Sequence, residues 1–272
     1  LKTTLAPIAN TRAVYIEGNA KVAMLFFNFS GANGLPGAAL YADHAMLNLK
    51  SNRFENNSGP SCAAILMNVG ILHIVDNEFY LNNSTGPGAA ICANQAGPGS
   101  QIRQTIFSQN MAAFSSTLSL TDSYIAIERS MFQDNMASGG AASSIAIQGG
   151  VYTLTNNVFR RNYAAMGPMV MAVKNAKLTF QHNTINTNLY SQPLIGLSAG
   201  SPVIMFNNIM VNAPVGVTVA DSQLSGARNI FFGIGNPVST SGTGTSTLSE
   251  TYLNDPGFTA TDQYQIKPGS FA

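Results

Sequence analysis

Charged side chains are scarce in this sequence. Only 9% of the 272 residues are Asp, Glu, Lys or Arg, and the formal net charge is +1. Binding to nucleic-acid phosphates needs a clustered excess of Lys and Arg, so the sequence excludes a nucleic-acid partner. No apolar run approaches the roughly 18 residues that span a bilayer, and we expect no transmembrane segment. The chain begins at Leu1 without a charged and apolar leader, which indicates a mature or excised piece.

Cysteine and tryptophan are also rare, with two residues of the first type and none of the second. In the repeat described below, Cys62 falls eight residues after its anchor Phe54, and Cys92 falls thirteen after its anchor Phe79. At about 3.3 Å per residue this five-residue offset is too long for a disulfide bond unless the coil bulges. The spacing therefore predicts two buried free thiols.

Apolar residues are plentiful, at 45%, and provide ample material for a core. An aromatic or aliphatic anchor followed three residues later by asparagine recurs along the chain. The spacings between successive anchors are 25, 28, 25, 27, 26 and 24 residues, and weaker copies stand at Phe27 and Phe231. The anchors are Phe54, Phe79, Phe107, Phe132, Phe159, Ile185 and Ile209. A repeat of this period is typical of a solenoid.

Apolar and polar residues alternate before each anchor, as in Leu47 to Lys50 and Tyr152 to Thr155. Alternation with period two indicates a strand with one buried and one exposed face. The sequence therefore predicts an all-β fold, a right-handed parallel β-helix of roughly nine turns. The anchors should point inward and stack on one another.

The asparagines after the anchors are predicted to form a structural ladder at a corner of the coil, where asparagine tolerates unusual backbone angles. The ladder comprises Asn57, Asn82, Asn110, Asn135, Asn162, Asn188 and Asn212. A second ladder, two residues before the anchors, comprises Asn52, Asn77, Thr105, Ser130, Asn157, Asn183 and Asn207. Glycosylation sequons at Asn28, Asn56 and Asn83 fit an exported protein, whereas a glycan on Asn82 would conflict with the ladder.

The chain is expected to form one domain with three parts. Residues 1–24 would form an N-terminal cap or irregular turns, and residues 25–235 the β-helix repeats. Residues 236–272 would form a Ser/Thr/Gly-rich loop and a closing segment.

A second recurring element precedes the strands: "GAALYA" from Gly37, "CAAILM" from Cys62, "GAAICA" from Gly88 and "GGAASSIAI" from Gly139. Together with Phe-x-x-Asn it resembles the repeat pair of the chlamydial polymorphic membrane proteins and of the wider group of pectin-lyase-like β-helix surface proteins. The tail "NDPGFTATDQYQIKPGSFA" is similar to the ending of many bacterial exported β-helix proteins. The resemblance implies extracellular or surface display with an adhesive or structural role, and it carries over no catalytic residue.

One polar neighbourhood is dense enough to be a candidate catalytic site. Stacking the outward columns brings Lys50, His73, Arg103 and Glu128 onto one face within a few turns. A lyase needs a basic residue beside its substrate carboxylate, and a hydrolase needs two carboxyl groups facing one cleft. The simpler interpretation is that Arg103 and Glu128 form a cross-strand ion pair on a solvated sheet.

The other polar candidates are weaker indications of a functional site. Arg160 and Arg161 are adjacent and fit a solvated corner, and His182 fits a polar corner as well. His44 stands beside Asp43 but has no third metal ligand in its stretch. The sequence therefore predicts neither a metal site nor a cofactor.

The sheet that carries the Ala-rich element is apolar on both faces, so something must cover its outer side. The cover is either the chain's own ends, residues 1–24 and 213–272, or a second copy of the protein. In the second case Leu66, Leu118, Met171 and Leu197 would lie near the contact. The sequence thus predicts an extracellular or cell-surface β-helix that is adhesive, structural or self-assembling, with another copy, a larger surface assembly or a glycan as partner. The alternative is a carbohydrate-active enzyme, a polysaccharide lyase or hydrolase that works on the polar sheet.

Overall fold

The computed structural model describes residues 2–8, 10–114, 117–139, 142–186 and 192–258. The described strands begin with β1 (Thr3–Leu5), β2 (Val14–Ile16), β3 (Lys21–Leu25), β4 (Phe27–Ser30), β5 (Leu40–Lys50), β6 (Arg53–Glu55), β7 (Ser58–Gly59), β8 (Ile65–Val75), β9 (Glu78–Tyr80) and β10 (Asn83–Ser84). They continue with β11 (Ile91–Ala96), β12 (Ser100–Arg103), β13 (Ile106–Ser108), β14 (Met111–Ala112), β15 (Leu118–Thr121), β16 (Tyr124–Glu128), β17 (Met131–Gln133), β18 (Met136–Ala137), β19 (Ile145–Gln148) and β20 (Val151–Thr155). The last are β21 (Val158–Arg160), β22 (Tyr163–Ala164), β23 (Val170–Val173), β24 (Lys177–Gln181), β25 (Thr184–Asn186), β26 (Ile195–Leu197), β27 (Val203–Phe206), β28 (Ile209–Ala220), β29 (Gln223–Ala227), β30 (Ile230–Ser241) and β31 (Thr245–Ser249).

Each strand pairs in parallel with its counterpart one turn along the chain, which makes a β-solenoid of about 9 turns. The predicted all-β parallel β-helix is therefore confirmed. Three faces form the wall, and β5, β8, β28 and β30 each bend from one face into the next. Face 1 contains β2, β11, β15, β19, β23 and β26; face 2 contains β3, β12, β16, β20, β24, β27, β29 and β31; face 3 contains β1, β4, β6, β9, β13, β17, β21 and β25. The small sheet contains β7, β10, β14, β18 and β22.

Phenylalanine rings stack along the interior of face 3. Phe54, Phe79, Phe107, Phe132 and Phe159 are fully buried, and the centroids of successive rings are 4.7 to 5.0 Å apart. Because one ring per turn matches the spacing of paired strands, about 4.8 Å, the turns bring the rings into contact without strain. The stack begins at Phe29, whose ring lies 4.5 Å from that of Phe54.

Two of the predicted anchors are wrong by one or two residues. Phe29, and not Phe27, is in register with Phe54. Near the other end, Ile185 is buried but pairs with Met210, and Met210 pairs with Phe231. Ile209 points away from the core and is only half-buried. The turn from Ile185 to its true counterpart has 25 residues rather than 24, and the Ile-x-x-Asn motif at Ile209 is therefore coincidental.

The asparagine ladder is confirmed over five turns. The side-chain amides of Asn57, Asn82, Asn110 and Asn135 each donate a hydrogen bond of 2.9 to 3.0 Å to the Oδ1 atom of the next ladder asparagine. Each amide also donates to a phenylalanine carbonyl of the preceding turn, as Asn110 Nδ2 does to Phe79 O at 3.0 Å. Asn188 lies outside the described residues, and the slipped register leaves Asn212 exposed, with its Nδ2 atom bonded to Asn186.

The second ladder is continuous through the same turns. Backbone N–H groups donate to the side chain one turn on, as Asn52 N does to Asn77 Oδ1 at 2.9 Å. Asn183 N donates to Asn208, which takes the place predicted for Asn207. The left-handed backbone conformation falls on the residue before each ladder position, such as Leu81 with φ of 53° and Arg129 with φ of 49°. The buried asparagines themselves keep a negative φ, so their role is hydrogen bonding.

Parallel pairing begins earlier and ends later than the predicted repeat region. Thr3 pairs with Phe27 in the first turn, and Gln223 to Ala227 pair with Thr245 to Ser249 in the last. Most of the Ser/Thr/Gly-rich run is strand rather than loop, since β30 extends to Ser241 and β31 spans Thr245–Ser249. The closing motif lies largely outside the described residues.

Candidate functional site

Face 2 carries the predicted catalytic candidates on its outer surface. Lys50, Val75, Arg103 and Glu128 occupy one column in successive turns, and Asn48, His73 and Gln101 occupy the column beside it. Arg103 Nε lies 3.1 Å from Glu128 Oε2, with each side chain about one-third exposed. His73 Nε2 lies 3.1 Å from Gly99 O, which makes this nitrogen the donor. The predicted cross-strand pair is present.

Lys50 stands two turns from Arg103 in the same column, separated by Val75. It takes part in no ion pair within the described part of the chain. The structure thus aligns the four candidates on one face, but only Arg103 and Glu128 are in contact. A paired guanidinium and carboxylate on an open sheet are not arranged as an acid and a base across a bond to be cleaved.

A groove of about 260 Å³ lies where face 1 bends into face 2 in the first turns. Lys21, His44, Met46 and Ile71 line it, and the surface continues past Met46 to Asn48. His44 Nδ1 lies 3.0 Å from Asp43 Oδ1. No group of three His, Cys, Asp or Glu residues with metal-ligand spacing occurs among the described residues. The groove is concave but mostly apolar, and it lies beside the predicted candidates.

A charged cluster on face 3 was missed from the sequence. Arg53 bridges two carboxylates, with its Nε atom 2.6 Å from Glu55 Oε2 and its Nη1 atom 3.1 Å from Glu78 Oε2. The guanidinium also lies 5.2 Å from the ring centroid of Tyr80. A hydrogen bond from Asn28 Nδ2, reinforced by Arg53, lowers the pKa of Glu55. Stacking the residues on either side of the anchors would have revealed this cluster.

An aromatic pair on face 1 was missed as well. The rings of Tyr15 and Tyr41 stack at 5.1 Å and are nearly parallel. The guanidinium carbon of Arg12 lies 4.6 Å from the centroid of Tyr41, and Asn68 Nδ2 donates to the Tyr41 hydroxyl at 3.1 Å. The pair continues the outer column of face 1, in which Leu66 follows Tyr41.

Cys62 and Cys92 form a disulfide bond, so the prediction of two free thiols was wrong. The predicted offset treated both cysteines as residues of one straight strand. Cys62 instead lies at a bend with φ of 52°, in the loop before β8, and that loop folds over the next turn. Cys92 is in β11 and points outward beneath this loop, which brings the two Cα atoms to 5.3 Å.

The same loops cover the outer side of face 1. A side chain at Gly37 would contact Leu66, one at Gly88 would contact Cys92, and Pro168 packs against Gly196. The loops that contain Gly37, Cys62 and Pro168 thus shield outward residues one turn further on, whereas Gly88 lies against Cys92 of its own turn. This cover explains why the sheet is apolar on both sides. Among the described residues these loops, rather than the terminal segments, form the cover, and a second copy in contact with the half-buried Leu66 and Met171 stays a prediction.

Of the four predicted interface residues, two are wrong. Leu118 and Leu197 point inward and belong to the main core. Leu66 and Met171 do point outward and are half-buried beside the covering loops. The alternation of inward and outward residues assigns Leu118 to the column of Ile65 and Ile91, not to that of Leu66.

The small sheet carries an exposed apolar surface that the sequence analysis did not single out. Its outward column contains Ser58 and Asn83 in two turns, then Met111, Met136 and Tyr163 in the next three. Met111 and Met136 are each 37% exposed and Tyr163 is 45% exposed. In the loops beyond, Phe114 is 64% exposed and Met166 is 72% exposed. We call Met111, Met136, Tyr163, Phe114 and Met166 the apolar stripe.

The sequons differ in accessibility. Asn82 is fully buried, and its Nδ2 atom donates to Phe54 O and Asn110 Oδ1. Asn28 is half-buried and its amide is bonded to Glu55. Asn56 and Asn83 are exposed. Exposure of these two is compatible with glycosylation, which stays a prediction.

The described residues include no helix long and apolar enough to cross a membrane. Comparison with known protein families finds no match, and comparison with curated protein sequences finds no significant match either. The likeness to the chlamydial repeats and to the pectin-lyase-like surface proteins therefore rests on the quoted motifs, and the parallel β-helix is the part of it that the structure contains.

Proposed function

We propose that this protein is displayed outside the cell, where its β-helix acts as an adhesive or structural module. The observation that carries the proposal is the surface itself. Five carboxylates on the described surface, those of Glu55, Glu78, Glu128, Asp134 and Glu250, pair with arginines, and an apolar stripe stays exposed. Exposed apolar surface of this kind marks a site of interaction.

The disulfide bond supports an extracellular or cell-surface location. Cys62 and Cys92 are nearly fully buried and bonded to each other. Such bonds form and persist in oxidising compartments and are rare in the cytosol. The exposed sequons at Asn56 and Asn83 agree with export.

The carboxyl groups also favour binding over catalysis. Every carboxylate in the described segments except Asp122 has a hydrogen-bond or ion-pair partner. Neighbouring donors lower the pKa of Glu55, Asp134 and Asp221. A general acid for glycoside cleavage needs the opposite, a carboxyl group whose pKa is raised.

A carbohydrate-active enzyme is the second candidate, and the corner groove is the observation that favours it. The groove lies next to Asn48, whose column continues to His73, with Lys50 in the adjacent column. A basic residue beside a groove is what a polysaccharide lyase requires.

The test of the adhesive proposal is affinity electrophoresis through gels that contain neutral or acidic polysaccharides, together with adhesion of the labelled protein to coated surfaces. We expect retention by at least one polymer or surface. Because Arg103 already forms an ion pair with Glu128, Arg103→Ala should change retention less than twofold. If no polymer or surface retains the protein, the adhesive role is contradicted.

A further inference from the structure

Beside the outward column of the small sheet, one loop position has no side chain. Hydrogen bonds from Gly139 N to Ala113 O and from Ala165 N to Ala137 O fix the register of the loops beyond the small sheet. This register places Phe114, Gly139 and Met166 at equivalent positions in three successive turns. Phe114 and Met166 protrude into solvent, whereas Gly139 between them has no side chain. Two protruding apolar side chains therefore flank a position that has no side chain.

A pair of opposite charges borders the stripe on its other side. Asp134 and Arg161 occupy the corner before the small sheet in two successive turns. Arg161 Nε lies 2.7 Å from Asp134 Oδ1, and both side chains are about one-third exposed. The charges therefore alternate along the solenoid axis in the same two turns that contain Met136 and Tyr163.

One two-fold axis can place three columns opposite complementary residues of a second copy. They are the outward column of the small sheet, the column of Phe114, Gly139 and Met166, and the column of Asp134 and Arg161. Consider an axis perpendicular to the solenoid that passes between the turn of Met136 and the turn of Tyr163. It reverses the order of the turns in the second copy and keeps each column opposite its own equivalent. Turn for turn, Met136 then faces the Tyr163 ring of the other copy, a favourable sulfur–aromatic contact.

The same axis matches the two flanking columns. Met166 of one copy then lies over Gly139 of the other, where no side chain opposes it. Arg161 of one copy faces Asp134 of the other, so opposite charges meet on both sides of the axis. An interface with two-fold symmetry requires a patch that is complementary to itself, and these residues meet that requirement with a single choice of axis.

We propose that the apolar stripe is the surface through which two copies of this protein associate, antiparallel and face to face. The inference rests on the proposed function, because it names the assembly surface of a structural or adhesive module. A second copy fits better than a charged partner because the stripe is uncharged and its border carries both signs equally.

Sedimentation equilibrium of the full chain over a wide concentration range tests this proposal. We expect a monomer–dimer equilibrium for the wild type. Met136→Asp should weaken the dimer at least tenfold, and Gly139→Leu should do the same by placing a side chain against Met166 of the other copy. Ile204→Asp, which changes an equally exposed residue on face 2, is the matched control and should leave the dimer constant unchanged. Circular dichroism establishes that each variant is folded.

The charge column gives a second and independent measurement. Arg161→Asp should weaken the dimer, and the exchange Asp134→Arg with Arg161→Asp should restore it. A mixture of Met136→Cys and Tyr163→Cys proteins should form a disulfide across the interface. Met111→Cys should not link to itself, because three turns, or about 14 Å, would separate the two copies.

A wild-type protein that stays monomeric at every concentration overturns the proposal, as does a Met136→Asp dimer of unchanged strength. Linking of Met111→Cys to itself would also overturn it, since that result requires a different arrangement of the two copies. None of these results affects binding to polysaccharides or surfaces, so failure of this inference is distinguishable from failure of the adhesive role.

Discussion

Single buried asparagines hold neighbouring turns together. The amide of Asn110 donates to Phe79 O and to Asn135 Oδ1, and its own Oδ1 accepts from the side chain and backbone of Asn82. Each ladder residue thus connects three turns inside a region that excludes water. Because the interior offers no other partners, removing one amide leaves several polar groups unsatisfied.

Asn110→Ala should therefore lower the free energy of unfolding by about 3 kcal/mol. Urea unfolding followed by circular dichroism measures the change. Asn83→Ala is the matched control, because Asn83 is exposed on the small sheet and its replacement should matter by less than about 0.5 kcal/mol. Equal effects of the two substitutions would contradict a structural role for the ladder.

Glu55 makes stability depend on pH. Asn28 and Arg53 lower the pKa of its carboxyl group in the folded protein, so its contribution is present above the unfolded value of about 4.3. The contribution is lost as the pH falls through the folded pKa. We expect Glu55→Gln to destabilise the protein by about 1 kcal/mol at neutral pH, and we expect this effect to shrink as the pH falls through the folded pKa.

Urea unfolding of both proteins between pH 3 and 7 measures this difference. Glu250→Gln serves as the control, because its ion pair with Arg228 is long, at 3.9 Å, and both side chains are about 60% exposed. A Glu55→Gln effect that does not change with pH would show that the carboxylate charge has no part in it.

The sequence predicts buried anchors and ladders well because both recur at nearly fixed spacing. The prediction fails where spacing alone cannot decide which residue of a strand points inward. Ile209 and Asn207 fit the predicted spacing, but a turn of 25 residues puts Met210 and Asn208 in the core positions. Inward and outward positions differ by one residue along a strand, so a slip of one residue exchanges buried and exposed side chains.

At the scale of elements, the loops before the strands of face 1 are the part that the sequence did not predict. Alternation of apolar residues describes a strand but not the path of the chain that leads into it. Gly37, Gly88 and Cys62 adopt positive φ, which folds these loops over the next turn. The Ala-rich motif therefore marks a strand that the loop of the preceding repeat helps to cover.

The disulfide ties one such loop to the next turn, so its removal should weaken this covering layer. Replacing both cysteines by serine should lower the free energy of unfolding by about 3 kcal/mol, as is typical for a bond that closes a loop of this size. Urea unfolding with and without a reducing agent measures the change. Reduction should shift the wild-type midpoint toward that of the double variant and leave the double variant unchanged; a wild-type midpoint insensitive to reduction would refute this prediction.

At the scale of the whole molecule, chemistry is distributed unevenly around the solenoid. Face 2 carries the polar column of Lys50, Arg103 and Glu128, face 3 carries the Arg53 cluster, and the small sheet carries the apolar stripe. The alignment of the polar column could be predicted because the register is regular. The Arg53 cluster and the stripe follow from the same register, applied to columns that flank and follow the anchors.

We propose that the polar face of the solenoid binds polysaccharide and does not cleave it. The most direct test incubates the protein with each polysaccharide that retains it and follows the chain length of the polymer and the number of reducing ends. We expect a stable complex in which the chain length of the polymer and the number of reducing ends stay constant. A steady increase in reducing ends, abolished by replacing Lys50 or His73, would contradict it and establish the polar face as an active site.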